Sequence, residues 1–406
     1  MTKAFKRVKA NKGGAGIDGM QVEALQGYLC EAWSFIKAEI LEGRYKPSCV
    51  KQVTIPKPNG GERKLGIPTV VDRLIQQAIS QCVSQVYDKG FSDSSYGFRP
   101  GRNAHQAVRR AQEHLNEGNI YVIELDLEKF FDRVNHDKLM TLLSRKISDK
   151  RVLKLIRRYL TSGVMIGGIA SKREEGTPQG SPLSPLLSNI ILDELDKELE
   201  KRGHCFVRYA DDCSIYVKSR KAAERVKESL TKYIETNLLL RINVEKTRIS
   251  LPHESTLLGF SFYREKQGYQ IRIAPKSLRR LKEKLRLMTS RRTPQGLRQR
   301  VEALRAVIPG WVNYFRIAQA KRHMQEMDEW IRTRLRMCVW KQWKRIRTKI
   351  RELLNLSVNH EKAVQWGSTS LGYCRVAHSP ILLSTLTNNY FTQHGYVSFT
   401  SVYLRN

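Results

Sequence analysis

The chain has 406 residues, 41% of them hydrophobic, with 72 lysines and arginines against 39 aspartates and glutamates. This length predicts two to four domains, and the formal net charge of +33 indicates a polyanionic partner such as nucleic acid. The N-terminus lacks an apolar secretory segment, no apolar run is long enough to cross a membrane, and seven cysteines without metal-binding spacing favour reduced thiols in a cytoplasmic protein.

Apolar periodicity predicts an α+β fold across the first 275 residues, with helices and short strands separated by Gly, Pro and Asn turns. In chain order, the predicted elements are mostly helical residues 1–45 interrupted by a glycine-rich loop at 11–19, a hairpin at 50–67, helices at 72–88 and 102–117, a strand from 121 to Asp126, a helix pair reaching about 162, a short hairpin with a Pro/Gly/Ser loop and a long helix over 163–203, a hairpin at 206–217, a helix at 221–238, and short strands at 242–250, 255–263 and 268–274.

The region from 276 to about 354 is predicted to be helical and basic. Residues 271–350 carry 23 Lys or Arg and 5 Asp or Glu, a net charge of +18, which suits a phosphate backbone. The segment GWVNYF is expected to interrupt these helices at Gly310, and most of Trp330, Trp340 and Trp343 are expected in the core. The last 50 residues give a weaker mixture of patterns.

The segment FVRYADDCSIY places two adjacent carboxylates, Asp211 and Asp212, between two strand-like runs. An isolated Asp-Asp pair is more often a solvated turn, but these flanks are apolar and a second buried strand ends at Asp126. Because like charges repel, divalent cations would stabilise such a cluster. Mg²⁺ prefers oxygen ligands, and two Mg²⁺ ions about 4 Å apart serve nucleotidyl transfer. The three aspartates are therefore the candidate catalytic metal ligands.

Eight collinear blocks resemble the reverse transcriptases encoded by group II introns, most like the bacterial class without an endonuclease domain. The blocks are IPKPNGGERKLGIPTVVDRLIQQA, SYGFRPGRNAHQA, DLEKFFDRVNHDKLM, EGTPQGSPLSPLLSNIILDELDKEL, FVRYADDC, LRINVEKT, LLGFSF and GWVNYF. The resemblance implies a right-hand polymerase fold. Its implied domains are an N-terminal extension remnant and fingers at 1–110 with further finger parts at 140–180, a palm with an antiparallel sheet at 111–265, a helical thumb or maturase domain at 266–352 and a DNA-binding region at 353–406.

The resemblance also implies roles for individual residues. Asp126, Asp211 and Asp212, with the backbone carbonyl of Leu127, would bind the two Mg²⁺ ions. The implied dNTP-binding residues are Lys57, Arg63, Phe130, Phe131, Gln179 and Lys246. The implied template or primer contacts are Asn11, Gly13, Gly14, Arg99, Arg102, Leu258, Gly259, Arg332, Arg334, Lys341 and Lys344. One phenylalanine would exclude a 2′-hydroxyl; counting from Asp126 favours Phe131, although either ring could be a core residue.

Two features depart from the family pattern. Ser181 stands where similar sequences often have a second glycine after PQG, and the N-terminal extension starts late. Cys374 is the only cysteine near the C-terminus, so the paired cysteines of the family's endonuclease are not expected. The Ser181 hydroxyl is small, so we expect a modified rather than an inactive site.

The resemblance implies an RNA-directed DNA polymerase that makes cDNA during retrohoming, with maturase activity that aids intron splicing. Its implied partners are group II intron RNA, an RNA template–DNA primer duplex, target DNA and dNTPs, with no membrane, in the cytoplasm of a bacterium. Two alternatives stay open: a maturase that only promotes splicing, and a domesticated, intron-free reverse transcriptase in DNA repair or defence. The oligomeric state is not predicted.

Overall fold

The computed structural model describes the whole chain except residues 57–59, 167–168, 172–174 and 406. It divides into two compact units, Met1–Ser255 and Thr256–Asn406. Each unit combines helices with antiparallel strand pairs, in agreement with the α+β class. Among the described residues, no helix is both long and apolar enough to cross a membrane.

The described residues of the first unit form nine α-helices and eight strands. In chain order they are α1 (Thr2–Asn11), α2 (Leu25–Leu41), β1 (Val50–Pro56), β2 (Glu62–Ile67), α3 (Val70–Tyr87), α4 (Ala104–Asn116), β3 (Tyr121–Leu125), α5 (Phe130–Arg133), α6 (His136–Ser144), α7 (Lys150–Thr161), β4 (Val164–Ile166), β5 (Ile169–Ser171), α8 (Ser184–Lys201), β6 (Cys205–Tyr209), β7 (Asp212–Val217), α9 (Arg220–Asn237) and β8 (Arg248–Ser250).

Two four-stranded sheets organise this unit. One has the order β2-β1-β4-β5, with β1 and β4 parallel. The other has the order β6-β7-β3-β8 and is antiparallel throughout. Its central strands β7 and β3 carry buried apolar residues, and α8 and α9 contribute further residues to the same core. A sheet with one face packed on helices leaves its strand ends and turns free to present side chains.

The second unit consists of a two-stranded antiparallel hairpin and a series of helices. In chain order they are β9 (Phe260–Glu265), β10 (Gly268–Ile273), α10 (Pro275–Met288), α11 (Leu297–Phe315), α12 (Lys321–Gln342), α13 (Ile346–Asn355), α14 (His360–Gly367), α15 (Tyr373–Ala377), α16 (Pro380–Thr385), α17 (Asn388–Gln393) and α18 (Phe399–Leu404).

The expected helix break at Gly310 is wrong, because α11 continues through Pro309 and Gly310 to Phe315. Both residues disfavour a helix interior. Apolar residues of α11 recur at helical spacing and are buried on both sides of Pro309, including Leu304, Ile308 and Val312. Burial of this stripe offsets the local cost and keeps one continuous helix.

The last 50 residues belong to the same compact unit as α10–α12. The buried carboxylate of Asp328 on α12 accepts hydrogen bonds from the Tyr396 and Ser398 hydroxyls and from the backbone N–H groups of Phe399 and Thr400. Arg336 of α12 donates to the backbone carbonyl of Leu386 at 3.0 Å. The C-terminal helices are therefore packed against the preceding helices as part of one core.

Candidate active site

The turn between β6 and β7 carries the adjacent aspartates. Tyr209 pairs with Asp212 across the hairpin, so Ala210 and Asp211 form a two-residue connection. Ala210 has φ of +59°, a conformation that is unfavourable for a residue with a Cβ atom. Leu125 at the end of β3 pairs with Cys213, and this antiparallel register places Asp126 beside Asp212. The structure therefore brings the three predicted carboxylates to one edge of the sheet.

A buried ion pair supports this turn from inside the protein. The guanidinium of Arg208 donates to Asp196 of α8, with an Nε–Oδ1 distance of 2.7 Å, and both side chains are 0% exposed. Arg208 also donates to Asn189, to the Ser95 hydroxyl and to the backbone carbonyl of Ala210 at 2.8 Å. The arginine thus connects α8 to Ala210, the first residue of the turn that carries Asp211.

Gly97 lies directly against the same turn. A Cβ atom at position 97 would lie 2.2 Å from the Ala210 nitrogen, closer than any van der Waals contact allows. The Gly97 carbonyl accepts a hydrogen bond from Asn189, which is also bonded to Arg208. Only glycine permits this approach of two backbones. Its segment, YGFRPGR, therefore supports the hairpin tip.

Asp126 is held by the segment that leads into β8. Its backbone N–H donates to the Thr247 hydroxyl at 3.1 Å, and its carbonyl accepts the Asn243 N–H at 2.8 Å. The Lys246 ammonium lies 3.6 Å from an Asp126 carboxylate oxygen and is largely exposed. Because backbone bonds orient Asp126, its carboxylate is available to bind a further cation.

Burial and neighbouring negative charge raise the pKa values of Asp211 and Asp212. Desolvation by the surrounding protein raises the pKa of Asp211, and the charge of Asp126 raises it further. Desolvation followed by the charges of Asp211 and Asp126 raises the pKa of Asp212 to about 6. Lys246 opposes this effect at Asp212, and Arg63 opposes it at Asp211. A cluster of carboxylate oxygens with this mutual repulsion fits a hard divalent cation such as Mg²⁺.

Arg63 of β2 and Gln179 contact each other, with Arg63 Nε donating to the Gln179 amide oxygen at 2.9 Å. The backbones of β2 and the PQG loop are linked as well, because the Gly66 N–H donates to the Gln179 carbonyl at 2.7 Å. Arg63 is exposed, and its charge acts on Asp211. Lys57, the other predicted cation of this hairpin, lies outside the described residues.

The two candidate phenylalanines differ in burial. Phe130 is 3% exposed and belongs to the main core cluster, whereas Phe131 is half-buried and packs edge-to-face against it. The Phe131 carbonyl accepts the Thr177 N–H at 2.6 Å, which fixes the PQG loop to α5. Phe130 is thus a packing residue, and Phe131 is the ring that remains accessible.

Ser181 is integrated into the fold around the PQG loop. Its hydroxyl is buried and donates to the Gln76 side-chain oxygen of α3. Gly180, next to it, has φ of +107°, and a Cβ atom there would lie 3.0 Å from the Gly66 carbonyl oxygen. The hydroxyl therefore ties the loop to α3 without blocking its approach to β2.

The glycine-rich N-terminal loop packs on the first turn of α3. A Cβ atom at Gly13 would lie 2.3 Å from a nitrogen of Arg73, and the Arg73 guanidinium donates to the Gly14 carbonyl at 2.6 Å. A Cβ atom at Gly16 would lie 2.6 Å from the Cα atom of Thr69. Asn11, at the end of α1, is exposed. The glycines thus allow close packing, and Asn11 is accessible.

Arg99 and Arg102 have different environments. The Arg99 side chain is 6% exposed and donates to Asp88 and to the backbone carbonyls of Ser92 and Ser95. These internal bonds make Arg99 a structural residue, contrary to its expected role as a template contact. Arg102 is partly exposed and pairs with the exposed side chain of Asp93, so it can still reach a ligand.

In the second unit, Leu258 and Gly259 form a turn with φ of +52° and +84°. The Leu258 carbonyl accepts a hydrogen bond from the Tyr314 hydroxyl, and the Gly259 carbonyl accepts one from Ala274. A Cβ atom at Gly259 would lie 2.9 Å from the Ser277 hydroxyl oxygen. The glycine is required by internal packing.

The four cations expected on α12 and its C-terminal end are not equivalent. Arg334 donates to Thr289 and to the Arg286 carbonyl and stacks on Trp330. Arg334 is therefore largely structural. The other three are at least partly exposed: Arg332, Lys341 and Lys344. Trp340 and Trp343 are buried, as expected.

Sequence reasoning missed the residues that support the turn, namely Arg208, Asp196, Asn189 and Gly97. A charged residue inside the apolar strand preceding the aspartates was the available signal for Arg208, because such a residue needs a buried partner. Its partners lie 12 and 19 positions earlier in the chain. No local pattern identifies them.

Comparison with known proteins places two regions of the chain in described families. Residues 55–262 match the family described as reverse transcriptase (RNA-dependent DNA polymerase). Residues 278–355 match the maturase-specific domain of group II introns. The second match covers the helical, basic region that follows β10.

Two curated relatives are similar over most of the chain. Protein YkfC of Escherichia coli K12 is 34% identical over 295 residues, which cover 63% of this chain and 77% of YkfC. Group II intron-encoded protein LtrA of Lactococcus lactis subsp. cremoris is 30% identical over 335 residues, which cover 66% of this chain and 54% of LtrA. The chain thus spans about half the length of LtrA.

Among solved structures, the chain is similar to a telomerase from Candida albicans in complex with a telomeric RNA fragment. The two are 13% identical with a TM-score of 0.45, and the match covers 85% of this chain and 69% of that chain.

Proposed function

Because this chain belongs to the reverse transcriptase family of group II intron-encoded proteins, we propose that it copies RNA into DNA at the site around Asp126, Asp211 and Asp212. Polymerases of this family are metal-dependent, and we assign two Mg²⁺ ions to these carboxylates and the Leu127 carbonyl. The observation that carries the proposal is the register of β3 against β7, which sets Asp126 beside Asp212.

The residues around the aspartates are assigned to nucleotide binding, charge balance and sugar selection. When bound, the Mg²⁺ ions supply activation of the primer 3′-hydroxyl and charge neutralisation of the departing pyrophosphate. Arg63 and Lys57 bind the triphosphate of the incoming dNTP, with Arg63 oriented by Gln179. Lys246 balances negative charge near Asp126, and Phe131 excludes nucleotides with a 2′-hydroxyl.

The nucleic-acid partners follow from charge and accessibility. The basic stretch 271–350 binds the phosphate backbones of a template–primer duplex and of group II intron RNA. Asn11, Arg102 and the exposed cations of α12 contribute contacts, and residues 353–406 contact target DNA. In a bacterial cytoplasm this activity makes cDNA during retrohoming, and RNA binding supports splicing.

Primer extension tests the catalytic assignment. Purified protein is given poly(rA)/oligo(dT), dTTP and Mg²⁺, and Asp211→Ala is compared with Asp137→Asn. Asp137 is a well-exposed carboxylate of the same unit that pairs with Arg157 at the surface. We expect Asp211→Ala to abolish extension while RNA binding persists, and Asp137→Asn to extend normally. Undiminished extension by Asp211→Ala contradicts the assignment.

The match to the maturase-specific domain favours RNA binding as a second role. The alternative is a maturase that binds RNA and promotes splicing without polymerising DNA. We compare two double variants at exposed positions. The first carries Lys344→Glu and Arg345→Glu, and the second, on α9, carries Lys221→Glu and Lys232→Glu. Both pairs change the net charge equally. Each lost phosphate contact lowers the salt slope of affinity by about 1, so we expect a flatter slope for the first pair only. Equal slopes would place the RNA-binding face elsewhere.

Copurification distinguishes the intron-bound enzyme from a domesticated reverse transcriptase. RNA bound to the protein in its host is sequenced after crosslinking. Enrichment of a structured RNA that flanks the open reading frame supports the intron assignment. Recovery of unrelated RNAs with intact primer extension supports a role in repair or defence.

A further inference from the structure

A cluster of three metal-ligating side chains lies outside the catalytic site, where the C-terminal end of α4 meets the start of β6. His114 and Glu117 are three positions apart, which puts them on one face of the chain at the helix end, and Cys205 opens β6. One ligand atom from each side chain lies within 4.8 Å of the other two.

The distances between these atoms approach those of a tetrahedral site. His114 Nδ1 lies 3.2 Å from Glu117 Oε2, and Cys205 Sγ lies 3.9 Å from the same oxygen. Zinc-to-ligand distances of about 2.0–2.3 Å give edges of about 3.3–3.6 Å in a tetrahedron. Small movements of the half-exposed Glu117 side chain would therefore complete a three-ligand arrangement with a fourth position open to water.

The His114 side chain is deeply buried, with 3% of it exposed. Within the part of the chain that the structure describes, its other ring nitrogen, Nε2, is buried and has no hydrogen-bond partner. A proton on Nε2 leaves the Nδ1 lone pair free to bind a cation beside the Glu117 carboxylate, whereas a proton on Nδ1 is donated to that carboxylate.

Neighbouring charges do not prevent such binding. The charges of Arg110 and Lys218 act on Cys205, and Arg110 is paired with Glu113 at 2.8 Å. Asn119 fixes the geometry, because its amide donates to the His114 carbonyl at 3.2 Å and to Cys205 Sγ at 3.7 Å. A metal binds the thiolate form of Cys205, so binding would release the thiol proton to solvent.

We propose that His114, Glu117 and Cys205 form a binding site for zinc or a chemically similar divalent transition metal. The mixed nitrogen, oxygen and sulfur donors suit Zn²⁺ rather than Mg²⁺, so the site differs in chemistry from the catalytic aspartates. Metal bound there would join α4 to β6, the strand that ends at the catalytic turn. This role is independent of the proposed polymerase activity.

Cobalt substitution tests the site in the full-length, metal-stripped protein. Co²⁺ is titrated in the presence of excess Mg²⁺, which occupies the oxygen-rich catalytic site. We expect one equivalent of Co²⁺ to produce a thiolate-to-cobalt charge-transfer band in the near ultraviolet, and Zn²⁺ to displace it. Absence of this band overturns the proposal and leaves His114 and Glu117 as a hydrogen-bonded pair beside a thiol.

Two variants and one matched control identify the ligands. Cys205→Ser should remove the band, and Glu117→Gln should weaken Co²⁺ binding by about tenfold or more. Cys82→Ser, at an exposed cysteine of α3, should keep both band and affinity. Zn²⁺ should raise the melting temperature of the wild type and of Cys82→Ser, but not of Cys205→Ser. A band that persists in Cys205→Ser contradicts the assignment.

Discussion

The buried pair of Arg208 and Asp196 should control the stability of the turn that carries Asp211. Asp196→Asn preserves the side-chain shape but leaves the Arg208 guanidinium, which is 0% exposed, without a neutralising charge. Removing one partner of a buried ion pair costs about 3–5 kcal/mol. At about 1.4 kcal/mol per factor of ten, local opening of the hairpin should become about 10²- to 4 × 10³-fold more frequent.

Hydrogen exchange measured by mass spectrometry reads this effect directly, since amide exchange reports local opening. Peptides from β6 and β7 should exchange about 10²- to 4 × 10³-fold faster in Asp196→Asn than in the wild type. Glu198→Gln is the matched control, because it removes a more exposed ion pair with Arg202 on the same helix. Such surface pairs contribute about 0.3–0.5 kcal/mol, so exchange should change less than threefold.

A small effect of Asp196→Asn, similar to that of Glu198→Gln, would refute this reasoning and show that the surrounding packing alone holds the turn. The double variant Asp196→Leu with Arg208→Met removes both charges and should be less destabilising than Asp196→Asn. If the double variant is the more damaged one, the pair contributes through its shape and hydrogen bonds rather than through charge compensation.

Three further predictions concern other parts of the fold. Gly97→Ala should reduce primer extension by about 10²-fold by displacing the Ala210 turn, whereas Gly27→Ala, with free space around it, should leave extension unchanged. Asp328→Asn should destabilise the second unit by about 2–3 kcal/mol, seen as faster amide exchange in 396–404 and not in β6–β7. Iodoacetamide should spare the buried thiols of Cys213 and Cys338, whose pKa values are raised by burial, and should first modify the exposed cysteines at 30, 82 and 374; early labelling of Cys213 would contradict the packing described for β7.

The sequence predicted those parts of the site that depend on local patterns. Alternating apolar residues identified β3 and the β6–β7 hairpin, and their terminal aspartates indicated a metal site. The reverse transcriptase family and fold class were confirmed. The helix at GWVNYF was predicted wrongly, because tertiary packing of α11 outweighs the preferences of Pro309 and Gly310.

Contacts between distant segments were not predictable from local patterns. Arg99 belongs to a basic, turn-rich segment typical of a nucleic-acid clamp, but its guanidinium bonds to Asp88 and to two carbonyls inside the fold. The Arg208 network joins residues from three separate segments. Burial distinguishes Phe130 from Phe131, although the two are adjacent and chemically identical. Each of these outcomes depends on three-dimensional neighbours.

The pairing of Tyr209 with Asp212 restricts insertions and deletions in the turn between them. One residue inserted at Ala210 would shift β7 against β3 by one position and turn its side chains to the opposite face. Cys213 would then point outward, and Asp212 would leave its place beside Asp126. Insertions at Gly203, on the opposite and exposed end of β6, would have no such effect. Among related sequences, insertions and deletions should therefore occur near Gly203 and be absent from the turn at Ala210 and Asp211.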